Sequence, residues 1–259
     1  MGLLLLFDID GTLVDSAGAG RDAIEEALVD VYGTAGPIDD ISFAGLTDPS
    51  IVRSLMTRAG VAPAEIDAEL DALWNRYVEL LVLALEERRA RIRVNAGVEA
   101  FLDALETLEA DIGLLTGNIA RGAFEKLKSC GLASRFGFGA YGSDAEDRDA
   151  LPDIALDRAH EATGRRASRA DTWIIGDTPR DIACARAGQM NVIAVATGSY
   201  SVQDLASAGP DLTVPTLEDT TDLISVLVDE SRTASGSARF AASDVASEES
   251  SEESGPRGF

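Results

Sequence analysis

Lysine is scarce in this chain of 259 residues: Lys126 and Lys128 are the only lysines among its 22 basic residues, and it has one histidine. Acidic residues number 45, which gives a formal net charge of −23. A surface this acidic repels nucleic acids and anionic membranes, so we expect neither as a partner. Such acidity with so little lysine indicates adaptation to a salt-rich cytoplasm, and an ordinary acidic protein of a mesophile is the alternative.

Cysteines and long apolar runs are also scarce. Cys130 and Cys184 have neither metal-binding nor redox spacing, which is typical of a reducing cytoplasm. The apolar residues 3–7 are too few for a secretory signal or a membrane span. We therefore expect a cytoplasmic protein. Residues 230–259 are poor in large apolar side chains and rich in Ser, Ala and Glu, which predicts a disordered acidic tail.

Residues 3–7 predict a buried strand, and Asp8, Asp10 and Gly11 follow it at once. A buried carboxylate without a partner is costly. The two aspartates therefore require a cation, strong hydrogen-bond donors or an exposed strand end. A strand followed by a simple Asp-Gly turn is the alternative interpretation.

The same arrangement returns later in the chain, where a short apolar strand is followed by Asp177 and then by Asp181. Helix capping is a competing interpretation here, because Thr178, Pro179 and Asp181 form the pattern of a capping box. Capping accounts for those three residues. It leaves Asp177 without a role at the tip of a hydrophobic strand.

A third apolar strand ends in Thr116 and Gly117. An ordinary strand-to-helix turn with Asn118 as the cap is the alternative. If the three strands are parallel and adjacent, their carboxyl ends meet at one edge of the sheet, where ligands bind in open α/β folds. The sequence therefore predicts an α/β fold with a ligand site at this edge.

Four carboxylates would converge there: those of Asp8, Asp10, Asp177 and Asp181. They cannot share a pocket as anions without a cation, and oxygen ligands of this kind suit Mg²⁺. A phosphoryl group is the natural substrate partner, since such an ion bridges it to carboxylates. We therefore expect a Mg²⁺ cofactor and a small phosphorylated substrate.

Taken together, DIDGT at residues 8–12, LLTGN at 114–118 and GDTPRDI at 176–182 resemble the haloacid dehalogenase superfamily, specifically its phosphoglycolate phosphatase-like branch with a helical C1 cap. The resemblance covers about residues 3–225. It implies a Rossmann-like parallel-sheet core with an inserted all-helical cap. It also implies that Asp8 attacks phosphorus to form an aspartyl-phosphate, while Asp10 protonates the leaving alcohol and then activates water.

The resemblance further implies which residues bind the metal and the phosphate. The metal would be held by Asp8, the backbone carbonyl of Asp10, Asp177 and, in support, Asp181. The phosphoryl oxygens would be held by Thr116 and the backbone amide of Gly117.

Members of this family also have a basic residue, usually lysine, between the second and last motifs. Lys126 and Lys128 fall too early, on the predicted helix after Thr116. Arg148 is the expected substitute in phosphate binding, because arginine can bind phosphate oxygens with two N–H groups and stays charged. The alternative is that Arg148 pairs with neighbouring acids at the surface. Asp144 is a weaker candidate for the site.

Between the first two motifs the sequence predicts three helices, at residues 21–32, at residues 50–59 and from Pro63 onward. This insertion, residues 16–93, is expected to lie over the strand ends as a lid. Aromatic residues of the long helix, such as Tyr77, are assigned to the bundle core. The loop at residues 43–49 either faces the substrate or simply connects two elements.

These observations predict a core made of residues 1–15 and 94–229, with residues 16–93 as the cap. The expected function is Mg²⁺-dependent hydrolysis of a small phosphoric monoester. A phosphomutase of the same family and a non-catalytic binding or regulatory descendant are the alternatives. Mutases of the family typically carry a histidine about ten residues after the second Asp, where this chain has Gly20. The sequence indicates neither the identity of the substrate nor the oligomeric state.

Overall fold

The structure is a computed structural model that describes residues 2–228. The strands are β1 (Leu4–Phe7), β2 (Val14–Asp15), β3 (Arg93–Val94), β4 (Asp111–Thr116), β5 (Gly139–Tyr141), β6 (Thr172–Gly176), β7 (Asn191–Val195) and β8 (Leu212–Val214). The helices are α1 (Ala19–Tyr32), α2 (Asp48–Arg58), α3 (Pro63–Glu87), α4 (Val98–Thr107), α5 (Ala120–Ser129), α6 (Leu151–Thr163), α7 (Pro179–Ala187) and α8 (Val202–Ser207), followed by a helical stretch at residues 220–228. The predicted disordered tail, residues 230–259, lies outside the described residues.

Within residues 2–228, six parallel strands form one sheet in the order β5-β4-β1-β6-β7-β8. The chain builds outward from β1 in both directions, so the strand order reverses at β1. Phe7 of β1 is in register with Leu114 of β4 and with Ile175 of β6. The carboxyl ends of the three motif-bearing strands are therefore neighbours. This arrangement confirms the predicted Rossmann-like α/β core.

Both faces of the central strand are buried, as expected for a parallel sheet covered by helices. Leu5 and Phe7 belong to an apolar cluster on one face, and Leu4 and Leu6 belong to a cluster on the other. Successive side chains of a strand point to opposite faces, so an uninterrupted apolar run is what this position requires. Asp8 and Asp10 follow this run, so the charged residues begin only where the strand ends.

Helices α1, α2 and α3 form the insertion and pack around an apolar cluster of their own. Helix α2 begins at Asp48, two residues before the predicted start, because the side chain of Thr47 accepts a hydrogen bond from the backbone N–H of Ser50. The insertion confirms the predicted helical cap, and we call it the cap. The short strands β2 and β3, which flank it, pair antiparallel. The predicted domain boundary at residues 15/16 coincides with the end of β2, and the one at 93/94 falls within β3. Both stay predictions.

Among residues 2–228, no helix has both the length and the apolar character needed to cross a membrane.

Candidate active site

The three predicted strand ends meet at one edge of the sheet. Asp8 follows β1 directly, and its backbone N–H donates to the carbonyl of Ile175 in β6 over 2.9 Å. Thr116 is the last residue of β4, and Asp177 follows β6. The side chains of Asp8, Thr116 and Asp177 are all buried. The sheet topology thus brings together residues that lie far apart in the chain.

A cluster of three carboxylates occupies this edge. Oxygen atoms of Asp8, Asp177 and Asp181 lie within 4.8 Å of one another, and all three residues are buried. Burial raises the pKa of Asp8 and of Asp177, and the negative charge of Asp181 adds to both shifts. Both shifts have the direction expected of carboxyl groups that are buried and lie beside another negative charge.

Arg148 contributes one positive charge to this cluster. Its Nη2 lies 2.5 Å from Oδ1 of Asp181 and 3.5 Å from Oδ2 of Asp8, and the residue is only 8% exposed. Although burial by itself would lower the pKa of Arg148, the charges of Asp181 and Asp8 outweigh it and raise the pKa further. The structure therefore places Arg148 inside the site and not at the surface.

Asp181 takes part in both arrangements that the sequence offered as alternatives. Its Oδ2 accepts hydrogen bonds from the backbone N–H and the hydroxyl of Thr178, at 2.9 and 2.7 Å, which completes a capping box at the start of α7. Its Oδ1 accepts from Arg148. Capping and membership of the carboxylate cluster are therefore compatible, because each uses a different oxygen.

Asp10 occupies a different environment, although it is two residues from Asp8. Its Oδ2 lies 2.6 Å from Nζ of Lys126 and accepts from Nδ2 of Asn118 over 2.8 Å. Its Oδ1 accepts from the hydroxyl of Ser16 over 3.2 Å. Burial would raise the pKa of Asp10, but the charge and hydrogen bond of Lys126 outweigh it, and the pKa is lowered. The two neighbouring aspartates thus have different surroundings, since Asp8 lies in the carboxylate cluster and Asp10 is paired with a lysine.

Thr116 and Gly117 lie between these two aspartates. The Thr116 hydroxyl is beside Asp8, where its hydrogen bond helps to lower the pKa of that carboxyl, and it accepts from Nδ2 of Asn118 over 2.9 Å. Gly117 makes a close approach to the cap, because a Cβ at this position would overlap the carbonyl oxygen of Leu46. A side chain at position 117 would therefore push the cap away from the site.

The turn after β1 also needs a glycine. Gly11 has φ of 81°, and a Cβ there would overlap the carboxylate of Asp177. The next residue, Thr12, donates its hydroxyl to Oδ1 of Asp177 over 3.1 Å. The Asp-Gly turn is thus present in the structure, and the lack of a side chain at Gly11 leaves room for the carboxylate of Asp177.

A cavity of about 420 Å³ opens above these residues, between the core and the cap. Asp8, Asp10, Lys126 and Arg148 line it from the core. The cap contributes Arg21, Phe43, Asp48 and Tyr77. Burial raises the pKa of Asp48 to about 6, against the opposing charge of Lys126. The loop at residues 43–49 thus faces the cavity, and Tyr77, assigned to the bundle core, both packs in the core and reaches the cavity.

Asp144 lies elsewhere. Its carboxylate binds the guanidinium of Arg158 at 2.5 and 2.8 Å and accepts from the backbone N–H of Tyr141 over 2.8 Å. These contacts fasten the end of β5 to α6. The weaker candidate among the predicted site residues is therefore a structural ion pair.

Lys126 falls too early in the chain to match the basic residue of the family, yet the structure brings it to Asp10. A signal was present: Lys126 shares the buried face of α5 with Gly122, Ala123 and Leu127. A lysine on an apolar helix face is rarely buried without an anionic partner. Asp48 carried no comparable signal, because its burial depends on how the cap meets the core.

Comparisons with known proteins agree with this geometry. The sequence profile of the haloacid dehalogenase-like hydrolases matches residues 5–195. Phosphoglycolate phosphatase of Chromobacterium violaceum is 30% identical over 223 residues, which cover 84% of this chain and 94% of that protein. The phosphoglycolate phosphatase of Rhodospirillum rubrum is 28% identical over 209 residues, or 79% and 83% of the two chains.

Solved structures share the fold. A hydrolase from Pseudomonas syringae superposes with a TM-score of 0.65 at 21% identity, covering 87% of this chain and 98% of that one. A β-phosphoglucomutase from Clostridium difficile gives a TM-score of 0.67 at 17% identity, covering 90% and 100%. At these identities the likeness concerns the fold alone.

Proposed function

The chain belongs to the haloacid dehalogenase-like hydrolase family and is a hydrolase of the phosphatase kind, and we propose that it hydrolyses a small phosphoric monoester through an aspartyl-phosphate on Asp8. One observation carries this proposal. Asp8 lies in the carboxylate cluster beside Arg148, whereas its near neighbour Asp10 is held by Lys126 and faces the cavity. These surroundings support the proposal that Asp8 is the nucleophile and Asp10 the acid and base.

In the first step an oxygen of Asp8 attacks phosphorus, the bond between phosphorus and the ester oxygen breaks, and Asp10 gives a proton to the departing alcohol. In the second step water attacks phosphorus, Asp10 takes the proton from that water, and the bond to Asp8 breaks. The products are the alcohol and inorganic phosphate. Splitting the reaction in this way lets one group act first as an acid and then as a base.

The phosphoryl group would be bound by the residues that surround Asp8. Its oxygens would be held by hydrogen bonds or charge from the Thr116 hydroxyl, the Gly117 backbone amide and the Arg148 guanidinium. Arg148 makes its strongest contact with Asp181, which fixes the guanidinium beside the attacking oxygen. A fixed charge of this kind stabilises a transition state more than a mobile one does.

The donor set also fits a divalent metal. Three buried carboxylates face a single guanidinium, all the candidate ligands are oxygens, and Mg²⁺ favours such ligands. We propose that Asp8, the backbone carbonyl of Asp10 and Asp177 hold Mg²⁺. Both oxygens of Asp181 already have partners, in Thr178 and Arg148. We therefore give Asp181 a supporting role in metal binding. When bound, the ion would offset the charge on the phosphoryl oxygens and orient them.

For the substrate we propose a small phosphorylated carboxylic acid, with 2-phosphoglycolate as the first candidate. Two curated relatives with phosphoglycolate phosphatase names span most of this chain. On the cap side of the cavity, Nη2 of Arg21 binds Asp39 and the carbonyl of Ile38, and the other nitrogens of its guanidinium would receive the carboxylate of the substrate. We also propose that the protein acts in the cytoplasm, with no nucleic acid or membrane as a partner.

Hydrolysis is favoured over phosphate transfer within a sugar. A mutase must protect its aspartyl-phosphate from water while the intermediate turns around, and a side chain near the second Asp can time that step. Gly20 offers no side chain at the predicted position. We therefore expect release of inorganic phosphate from the substrate and no isomerisation.

A panel of phosphorylated metabolites with Mg²⁺, followed by phosphorus NMR, tests the proposal. We expect the wild-type protein to release inorganic phosphate, to lose activity with EDTA and to regain it with Mg²⁺. Asp8→Asn should lose activity by several orders of magnitude, while Asp144→Asn, which removes a carboxylate outside the cavity, should retain it. Undiminished activity in Asp8→Asn would exclude the mechanism, and a sugar phosphate converted to its isomer without phosphate release would identify a mutase.

A further inference from the structure

Lys126 is a buried cation whose ammonium group forms hydrogen bonds with two residues of the candidate active site. The residue is 4% exposed. Its Nζ lies 2.6 Å from Oδ2 of Asp10 and 2.6 Å from Oδ1 of Asn118. Burying an ammonium group is costly unless it is paired and hydrogen-bonded, and here both requirements are met by the same two residues. The position of Nζ is therefore defined by its contacts.

The cap makes room for this ammonium group. Gly20 lies in α1, and a Cβ at that position would be 3.0 Å from Nζ of Lys126 and 3.2 Å from its Cε. The backbone of Gly20 is helical, so a left-handed conformation does not account for the glycine. A glycine inside a helix costs about 0.5–1 kcal/mol relative to alanine. At this position the small residue has a steric reason, which is the space that Lys126 occupies.

The two oxygens of Asp10 are consequently unequal. Oδ2 accepts from both Lys126 and Asn118, at 2.6 and 2.8 Å. Oδ1 accepts from the Ser16 hydroxyl over 3.2 Å. A carboxylate oxygen offers about two acceptor positions, so Oδ2 is saturated while Oδ1 retains capacity. The Asp10 side chain is 41% exposed, which leaves it accessible from the cavity.

We propose that Lys126 is a positioning residue that, together with Asn118, anchors Oδ2 of Asp10 so that Oδ1 is the atom that exchanges protons with the reacting groups. The inference rests on the proposed phosphatase function and assigns a role in it to a residue of α5. Lys126 itself contacts neither the nucleophile nor the phosphoryl group in this assignment. It acts through Asp10.

In this assignment the same atom, Oδ1 of Asp10, transfers the proton in both steps. Once it carries a proton, Oδ1 delivers that proton to the ester oxygen as the bond from that oxygen to phosphorus breaks. Oδ1 is then free to accept a proton from the water that attacks the aspartyl-phosphate, as the bond between phosphorus and Asp8 breaks. The Ser16 hydroxyl can rotate to donate to Oδ1 or to accept from it.

The leaving group provides the test. An alkyl alcohol needs a proton in order to depart, whereas 4-nitrophenolate departs without one. In Lys126→Met, release of the alcohol from an alkyl phosphate that the wild type hydrolyses should slow by roughly 10²-fold or more in a single turnover, in line with losing general acid catalysis. Release of 4-nitrophenolate from 4-nitrophenyl phosphate should change little in its first turnover.

The second step should also slow in Lys126→Met, because Asp10 must activate water whichever group has left. The variant should therefore show a burst of 4-nitrophenolate followed by a slow steady state, the behaviour of an accumulating covalent intermediate. Lys128→Met is the matched control, since Lys128 is on the same helix but exposed and paired with Glu125. It should behave as the wild type does with both substrates.

Gly20→Ala gives a second variant that keeps the lysine. The added methyl group should displace Nζ while improving the helix propensity of α1. We expect slower alkyl phosphate turnover with an unchanged or higher melting temperature. A purely structural role for Lys126 would instead predict that rate and stability change together.

Equal slowing of both substrates in their first turnover, or wild-type kinetics in Lys126→Met, would overturn this inference. If Lys126→Met does not fold, an unchanged alkyl-to-aryl ratio in Gly20→Ala would overturn it as well. Failure of the proposed function is recognised separately, because it would leave activity intact in Asp8→Asn. The Mg²⁺ concentration for half-maximal 4-nitrophenyl phosphate activity should be unchanged in both variants.

Discussion

The carboxylate of Asp48, in the cap, accepts a hydrogen bond from the backbone N–H of Ile119, in the core, over 2.8 Å. The backbone N–H of Asp48 donates in return to the carbonyl of Gly117 over 2.7 Å. Ile119 is the residue just before α5, so a cap side chain satisfies one of the amide groups at that helix start. The cap is thereby attached to the loop after β4, to which we assign phosphoryl binding.

Asp48→Asn should change how stability depends on pH. Burial raises the pKa of Asp48 from its usual value of 3.8 to about 6. Between these two pH values, ionisation of this carboxyl therefore lowers the free energy of unfolding as the pH rises. The loss is at most about 1.4 kcal/mol for each pH unit. Asparagine keeps an acceptor for Ile119 without the charge. We expect the variant to gain stability relative to the wild type across this interval, with a constant difference above it.

Urea unfolding of both proteins in EDTA, over a series of pH values, measures this difference. EDTA keeps metal binding from contributing to either protein. The stability of the wild type relative to the variant should fall as the pH rises, because a carboxyl with a raised pKa binds more protons in the folded state than in the unfolded state. A difference that does not change with pH would show that Asp48 has an ordinary pKa in the folded protein.

Arg148→Ala should reduce kcat/KM by roughly 10²-fold or more, because it removes a fixed positive charge from beside the attacking oxygen. Arg148→Lys should recover part of the loss, since lysine supplies the charge without the planar pair of donors. Arg158→Ala removes an arginine whose ion pair with Asp144 lies outside the cavity, and it should keep the wild-type kcat/KM. Wild-type kinetics in Arg148→Ala would mean that the guanidinium only neutralises the carboxylate cluster.

Gly117→Ala should impair both activity and stability. The added Cβ would overlap the carbonyl oxygen of Leu46, so the cap loop or the phosphate-binding loop must move. Such overpacking costs about 1–3 kcal/mol. Gly137→Ala is the matched control, because a Cβ at Gly137 meets no atom within 4 Å and its φ is not positive. Thermal unfolding and kcat/KM report the two effects, and equal behaviour of the two variants would argue against a close contact at Gly117.

The three strand ends could be predicted from the sequence because each is a local pattern. An apolar run followed by Asp8, by Thr116 or by Asp177 can be recognised in a few residues, and the parallel sheet then determines that the ends meet. The partner of Asp10 could not be predicted in this way. Helical periodicity puts Lys126 on the buried face of α5, but it does not indicate which carboxylate that face meets.

The pairing of β2 with β3 affects how the cap of a protein like this one can evolve. Asp15 and Arg93 are directly opposite each other, so the chain leaves the core and returns to it at one place. Exchanging the intervening segment for another domain would leave the order and register of the six-stranded sheet unchanged. Asp8, Asp177 and Arg148 would keep their positions, while residues such as Arg21 and Asp48 would be replaced together. Evolution could in this way change which ester is accepted without rebuilding the groups that cleave it.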